Sequence, residues 1–179
     1  MRGFGARRAL FSTALLAASR PVVSLAASPT AATCFCGAVG VEVAAAAPIS
    51  SSICHCTRCR KLSGAPHIAS VILAREHVTL TSTAPGSGEP ALVETVTSKH
   101  VTRFRCASCL GPVLATLGPS RCVVPAAIFD APLPSGWAPQ HHIHYLSRIL
   151  DVRDGLPKHG TNFGSPLVPE VAEEGGSGG

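Results

Sequence analysis

The sequence predicts an all-β domain held together by metal. Three observations carry that expectation. No segment keeps a helical period; short alternating or β-branched runs are broken by Gly, Pro and Ser instead. Aromatic residues are few, with six Phe, one Trp and one Tyr in 179 residues, so Val, Ile, Leu and Ala must fill the core. Seven of the eight cysteines fall into three tight groups with metal-ligand spacing, and bound metal would supply the stability that a sparse core lacks.

Residues 1–30 hold Arg2, Arg7, Arg8 and Arg20, are rich in Ser and Ala, and contain no acid. That composition fits an organellar transit peptide, with the mitochondrion favoured over a plastid and the cytoplasm as the alternative. The rival is a secretory signal, in which Arg7 and Arg8 precede the apolar run 9–18; that run is too short to span a membrane. Thiols meant for metal would tend to oxidise in a secretory compartment, which favours the organellar reading. Four of the 15 basic residues lie in this leader, leaving 11 against 10 acidic, or +1. A chain so nearly neutral has no broad basic face, so neither nucleic acid nor a membrane is an expected partner.

The domain is expected over 31–160. Residues 37–43 alternate small and branched side chains, 67–73 reads as a buried strand, and 77–80 continues it after a turn. A Pro/Gly loop follows at 84–90. Residues 91–97 and 101–105 are set to pair as a hairpin through Ser98, Lys99 and His100. Strands at 113–117 and 122–129 are separated by Gly118 and Pro119, and 141–145 is the last candidate. Residues 161–179 are expected to be a flexible tail, because they end in Glu-Glu-Gly-Gly-Ser-Gly-Gly.

The cysteine groups differ in kind. Cys34 and Cys36 put two sulfurs on one face of an extended segment, and Cys106 and Cys109 converge across a turn; together they make a four-thiolate tetrahedral site. Closing about seventy residues of chain, such a site constrains the unfolded state strongly. Cys54, Cys56 and Cys59 lie within six residues, so one loop can hold one ion and leave a coordination position open. An open thiolate site suits a soft thiol ligand, and zinc would hold an incoming thiol deprotonated. Arg60 and Lys61 stand beside it, placed to receive the carboxylates of an anionic thiol or to be a solvated surface pair.

Two bland readings compete. Eight cysteines can pair as disulfides, against which the leader and the spacing weigh. Alternatively every metal is structural, with Cys122 or a histidine closing the second site. Cys122 otherwise reads as a small buried hydrophobe. His55 is expected to point away from the metal. Alternation puts His142 and His144 on one strand face, while the tract His141, His142, His144 resembles a metal site by composition alone.

The run from Cys54 to Ala65, Cys-His-Cys-Thr-Arg-Cys-Arg-Lys-Leu-Ser-Gly-Ala, resembles the signature of the glutathione-dependent formaldehyde-activating enzyme family, whose domain also occurs in centromere protein V. Cys34-Phe35-Cys36-Gly37 and the Cys106/Cys109 pair match the family's other cysteine pairs in order and spacing, and Asp154-Gly155-Leu156-Pro157 is similar to its C-terminal element. The likeness spans about residues 33–158. It implies a small zinc-stabilised β fold of the Mss4-like (β-tent) type with two Zn²⁺ per chain. Cys34, Cys36, Cys106 and Cys109 would hold the structural zinc, and Cys54, Cys56 and Cys59 the catalytic one. It also implies a carbon–sulfur lyase that forms S-hydroxymethylglutathione from glutathione and formaldehyde. The alternative is a non-catalytic zinc module that carries glutathione or mediates protein interactions. Three positions depart from the pattern: Leu110 where Gly is usual, Arg105 where an aromatic is common, and His67 after Ser-Gly-Ala.

Overall fold

The structure is a computed structural model that describes residues 30–44, 48–82 and 88–169; residues 1–29 of the expected leader, 84–87 of the expected loop and 170–179 of the expected tail lie outside them. Ten strands and one short α-helix make two sheets among these residues. The smaller sheet joins β1 (Thr30–Thr33), β2 (Val39–Val43) and β5 (Val78–Ser82) in the antiparallel order β1-β2-β5. The larger contains β3 (Ser50–Cys54), β4 (Ile68–Ala74), β6 (Leu92–Ser98), β7 (Val101–Cys106), β8 (Pro112–Leu117), β9 (Arg121–Pro125) and β10 (His141–Ile143). Its order is β10-β3-β4-β9-β8-β7-β6, antiparallel except where β10 runs parallel to β3.

Strand alternation builds the core. Val39, Val41 and Val43 of β2 are buried while Glu42 faces out. Across from them lie Val71 and Leu73 of β4, Val113 of β8, and Cys122 and Val124 of β9, each with no exposed surface. Each such Val or Leu contributes about 1.5–3 kcal/mol on burial, and Trp137 adds its ring against the edge of Phe129 at 5.9 Å. A Cβ on Gly40 would lie 2.4 Å from Thr81 Oγ1 on β5, so any larger residue would force the Thr81 side chain to turn.

The structure departs from the sequence expectation in several places: β1 had no sequence signal, and the run 141–145 ends as a strand at Ile143, where left-handed His144 leaves the face expected to hold both His142 and His144. The run expected to continue from 67–73 into 77–80 leaves its sheet: a 3-10 turn at Arg75–His77 sends β5 to the other layer. β3 was hidden by three consecutive serines, which have turn composition, yet it pairs with both β4 and β10. The run 122–129 ends as a strand at Pro125 and passes into a 3-10 turn. α1 (Thr57–Ser63) has seven residues, too few to print a helical period. Finally, residues 161–169, read as the start of the tail, are hydrogen-bonded into the domain: Thr161 O accepts from His144 N–H, and Val168 N–H donates to Lys158 O. Ser and Asn turns carry that stretch rather than an apolar pattern.

Candidate metal centre

Cys34 and Cys36 sit in the turn after β1, and Cys106 ends β7 with Cys109 in the turn to β8. Their four Sγ atoms lie within 4.8 Å of one another, with Cys36 Sγ 3.6 Å from Cys34 and 3.7 Å from Cys106. A disulfide needs about 2.05 Å, whereas tetrahedral bonds of 2.3 Å place sulfurs about 3.8 Å apart. The donors therefore fit one four-thiolate metal. Backbone N–H groups support the sulfurs: Val39 N–H reaches Cys34 Sγ at 3.3 Å, and those of Cys36 and Gly111 lower the Cys109 thiol to about 6. The turn needs a left-handed residue, and Leu110 supplies it at φ 58°. Gly111 follows without a side chain, where a Cβ would press on Cys109 Sγ at 3.2 Å. This site clamps the small sheet to the large one.

The second group is built by β3 and α1. Cys54 ends β3, Cys56 is the N-cap of α1, and Cys59 lies in its first turn, accepted into place by a Cys59 N–H to Cys56 Sγ bond of 3.3 Å. The three Sγ atoms also lie within 4.8 Å of one another. Cys54 is buried and the other two are half-buried, so the cluster keeps an accessible side. Bonds to Cys56 and Cys59, with burial behind them, push the Cys54 thiol far up, while the bond to Cys54 pulls Cys56 down. Three sulfurs this close would all ionise only beside a cation, and their spacing could hold one metal ion through three thiolates. Arg103 of β7 donates from Nη2 to Cys59 Sγ at 3.4 Å, balancing part of the cluster's negative charge.

His55 points away from the sulfurs. Its Nε2 meets His142 Nδ1 at 2.8 Å, and His142 Nε2 meets Asp154 Oδ2 at 2.8 Å. Lys158 Nζ donates to the other Asp154 oxygen at 3.3 Å. Burial, with the neighbouring His142 and His67, lowers His55 to about 4, so it is neutral at pH 7. Burial would raise Asp154, but its bonds from His142 and Leu156 N–H hold it below the usual carboxylate range. This relay thus fixes the cysteine-bearing loop to β10 and to the segment after it. His67 stacks on His55 at 5.2 Å, and His144 stands near enough to Cys56 to favour its thiolate.

The other expected residues are placed as follows. Arg60 is used by its own loop, donating from Nε to His55 O at 3.1 Å. Lys61 is exposed beside it, and both border a shallow depression with Gly64, Pro66, Ile149 and Leu150. Arg105 bonds the carbonyls of Leu62 and Leu110 and so ties α1 to the four-thiolate turn. Cys122 is a fully buried core residue whose thiol burial pushes up. Arg103 was not legible in the sequence as part of this site. No linear spacing links Arg103 to Cys59, 44 positions away; only the alternation of Arg103 and Arg105 on one strand face hinted at a shared role.

The fold and site define a class: a two-sheet β domain that carries a four-cysteine and a three-cysteine group, each able to hold a metal ion. A family model described as glutathione-dependent formaldehyde-activating enzyme matches residues 29–147. The chain belongs to that family, which implies chemistry on glutathione and formaldehyde. No curated protein matches it. Among solved structures, a crystal structure of a Rhodobacter sphaeroides protein is 19% identical, with TM-score 0.46, covering 58% of this chain and 91% of its own.

Proposed function

We propose that this chain makes and breaks the carbon–sulfur bond between glutathione and formaldehyde, with S-hydroxymethylglutathione as the adduct. The observation that carries the reading is the contrast between the two cysteine groups: four sulfurs around one site and only three, with an accessible side and an arginine, around the other. Cys34, Cys36, Cys106 and Cys109 would hold a structural zinc, and Cys54, Cys56 and Cys59 a second. Zinc, when bound, lowers the pKa of a thiol at its open position.

This chain's residues do the rest. Arg103 offsets the negative charge that a thiolate brings to the cluster. The His55–His142–Asp154 chain holds the loop so that the three sulfurs keep their spacing. Arg60 and Lys61, at the shallow depression beside α1, receive a carboxylate of glutathione. The addition itself is simple: the sulfur pair forms the new bond to carbon, and the carbonyl π pair moves to oxygen, which takes a proton from solvent.

Thiols add to formaldehyde unaided, so the test is exchange at equilibrium. NMR exchange spectroscopy with ¹³C-formaldehyde and glutathione would show faster interconversion with the metal-loaded protein and only the unaided rate with Cys56→Ser. A second reading, glutathione carriage without turnover, is favoured by His55 facing His142 rather than the sulfurs. Tight glutathione binding with unaltered exchange would select it.

A further inference from the structure

An antiparallel sheet with one face on the core normally turns polar side chains outward. The large sheet does so only in part. Val71 and Leu73 of β4, and Cys122 and Val124 of β9, face the core; on the opposite face Ile68 and Ile72 alternate with them, joined by Val123 from β9. These three are only half-buried. They line a cleft of about 160 Å³ with Leu62 of α1, and Phe104 of β7 and Leu114 of β8, both packed in the core, close its far side. Cys54 and Cys59 are part of the same wall. Apolar surface that the fold does not use for its own packing therefore runs directly to two of the three thiolates.

The polar groups on that wall also look for a partner. Ser52 lies two residues before Cys54 on β3, hence on the same strand face. It is 2% exposed, lines the cleft, and its Oγ has no hydrogen-bond partner. Arg103 Nε, also on the cleft, is buried and unpartnered. A buried hydroxyl left unsatisfied costs about 1–3 kcal/mol, which a ligand oxygen beside Cys54 would relieve.

We infer that this cleft holds the hydrocarbon arm of the carbonyl substrate, so that the site accepts linear aliphatic aldehydes of about six carbons in addition to formaldehyde. The size follows from comparison: an apolar cavity of about 150 Å³ admits benzene, six carbons. Formaldehyde has no carbon to place there, and glutathione is too polar to favour it. The aldehyde oxygen lies at Ser52 and the chain runs along Ile68, Ile72 and Val123. The step is thiol addition as above: one C–S bond forms, the C=O π bond opens, the oxygen gains a proton, and nothing is oxidised or reduced.

This inference rests on the thiol–aldehyde reading, and two measurements separate them. First, 1-hexanol, which has no carbonyl, is titrated into the metal-loaded protein while methyl NMR signals of Ile68, Ile72 and Val123 are followed. Saturable shifts are expected, abolished by Val123→Phe, which fills the cleft, and weakened by Ile72→Asn. Second, exchange rates with glutathione are measured for propanal through decanal, whose carbonyls have similar intrinsic reactivity. The rate per aldehyde is expected to rise about threefold to fourfold per methylene, peak near hexanal and fall by decanal. Formaldehyde turnover with no hexanol shifts, or with a flat chain-length series, overturns this inference alone. Hexanol binding with no exchange enhancement for any aldehyde, formaldehyde included, overturns the thiol–aldehyde reading and this substrate with it.

Discussion

Replacing Arg103 with Gln removes the guanidinium bonded to Cys59 and leaves a shorter, neutral polar side chain. Arg103 Nη2 stands 3.4 Å from Cys59 Sγ. At that distance a unit charge pair is worth about 1 kcal/mol at the dielectric of water and about 5 kcal/mol at an effective value of 20. Cys59 and Arg103 are half-buried, so solvent screening keeps the effect toward the lower end. A loss of about 1.5–2.5 kcal/mol is expected, a factor of roughly 10–100, which is the usual size for a group supporting metal ligands from outside. The assay is stepwise metal competition with a chromogenic chelator. The four-thiolate site, where Arg103 makes no bond, serves as the internal reference. Arg103→Gln should weaken one of two metals by that factor and leave the other unmoved, and glutathione binding should weaken in parallel. Arg103→Lys should restore part of the loss, because it keeps the charge without the planar fork. Unchanged release of both metals, or equal weakening of both, would refute the placement of Arg103 as the cluster's counter-charge.

Three further outcomes follow from the same geometry. Cys106→Ser breaks the clamp between the sheets, so the variant should bind one metal fewer and lose more than 10 °C of thermal midpoint, on the order of several kcal/mol, as read by calorimetry. His142→Ala leaves buried His55 without its partner, while exposed Asp154 keeps Lys158, and should cost about 1–3 kcal/mol, measured by urea unfolding with metal in excess. His141 is lowered from 6.5 by burial, with His159 and His142 adding to it. Its folded state therefore binds fewer protons than the unfolded chain, so its contribution is whole above pH 6.5 and is lost as pH falls below that. His141→Phe should flatten that part of the stability–pH curve, and an unchanged slope would count against the buried neutral imidazole.

The parts of the fold that were legible in sequence are those with a local physical signature. The alternation of Val39, Val41 and Val43 marked β2, and the hairpin of β6 and β7 turned where Ser98, Lys99 and His100 stand. The cysteine spacings gave both sulfur clusters, because Cys-x-Cys and Cys-x-x-Cys each converge within a few residues. Leu110 in place of Gly raised the question of the turn, and the turn kept its positive φ. What escaped was set by distant pairing. The serines of β3 are strand because β4 and β10 flank them. Arg103 meets Cys59 because β7 and α1 pack in space, and His55 meets His142 because β10 lies beside β3. The cleft was invisible for the same reason: Ile68, Ile72 and Val123 read as core until the sheet order showed which face each occupies.

The closed and open pair of thiolate centres is tested most directly by metal stoichiometry together with zinc-edge X-ray absorption, with and without glutathione. Two zincs per chain, with the mean sulfur count rising by about half a ligand per zinc when glutathione is added, is the predicted result. One zinc, or two with four sulfurs each and no response to glutathione, would contradict it and leave a purely structural zinc domain.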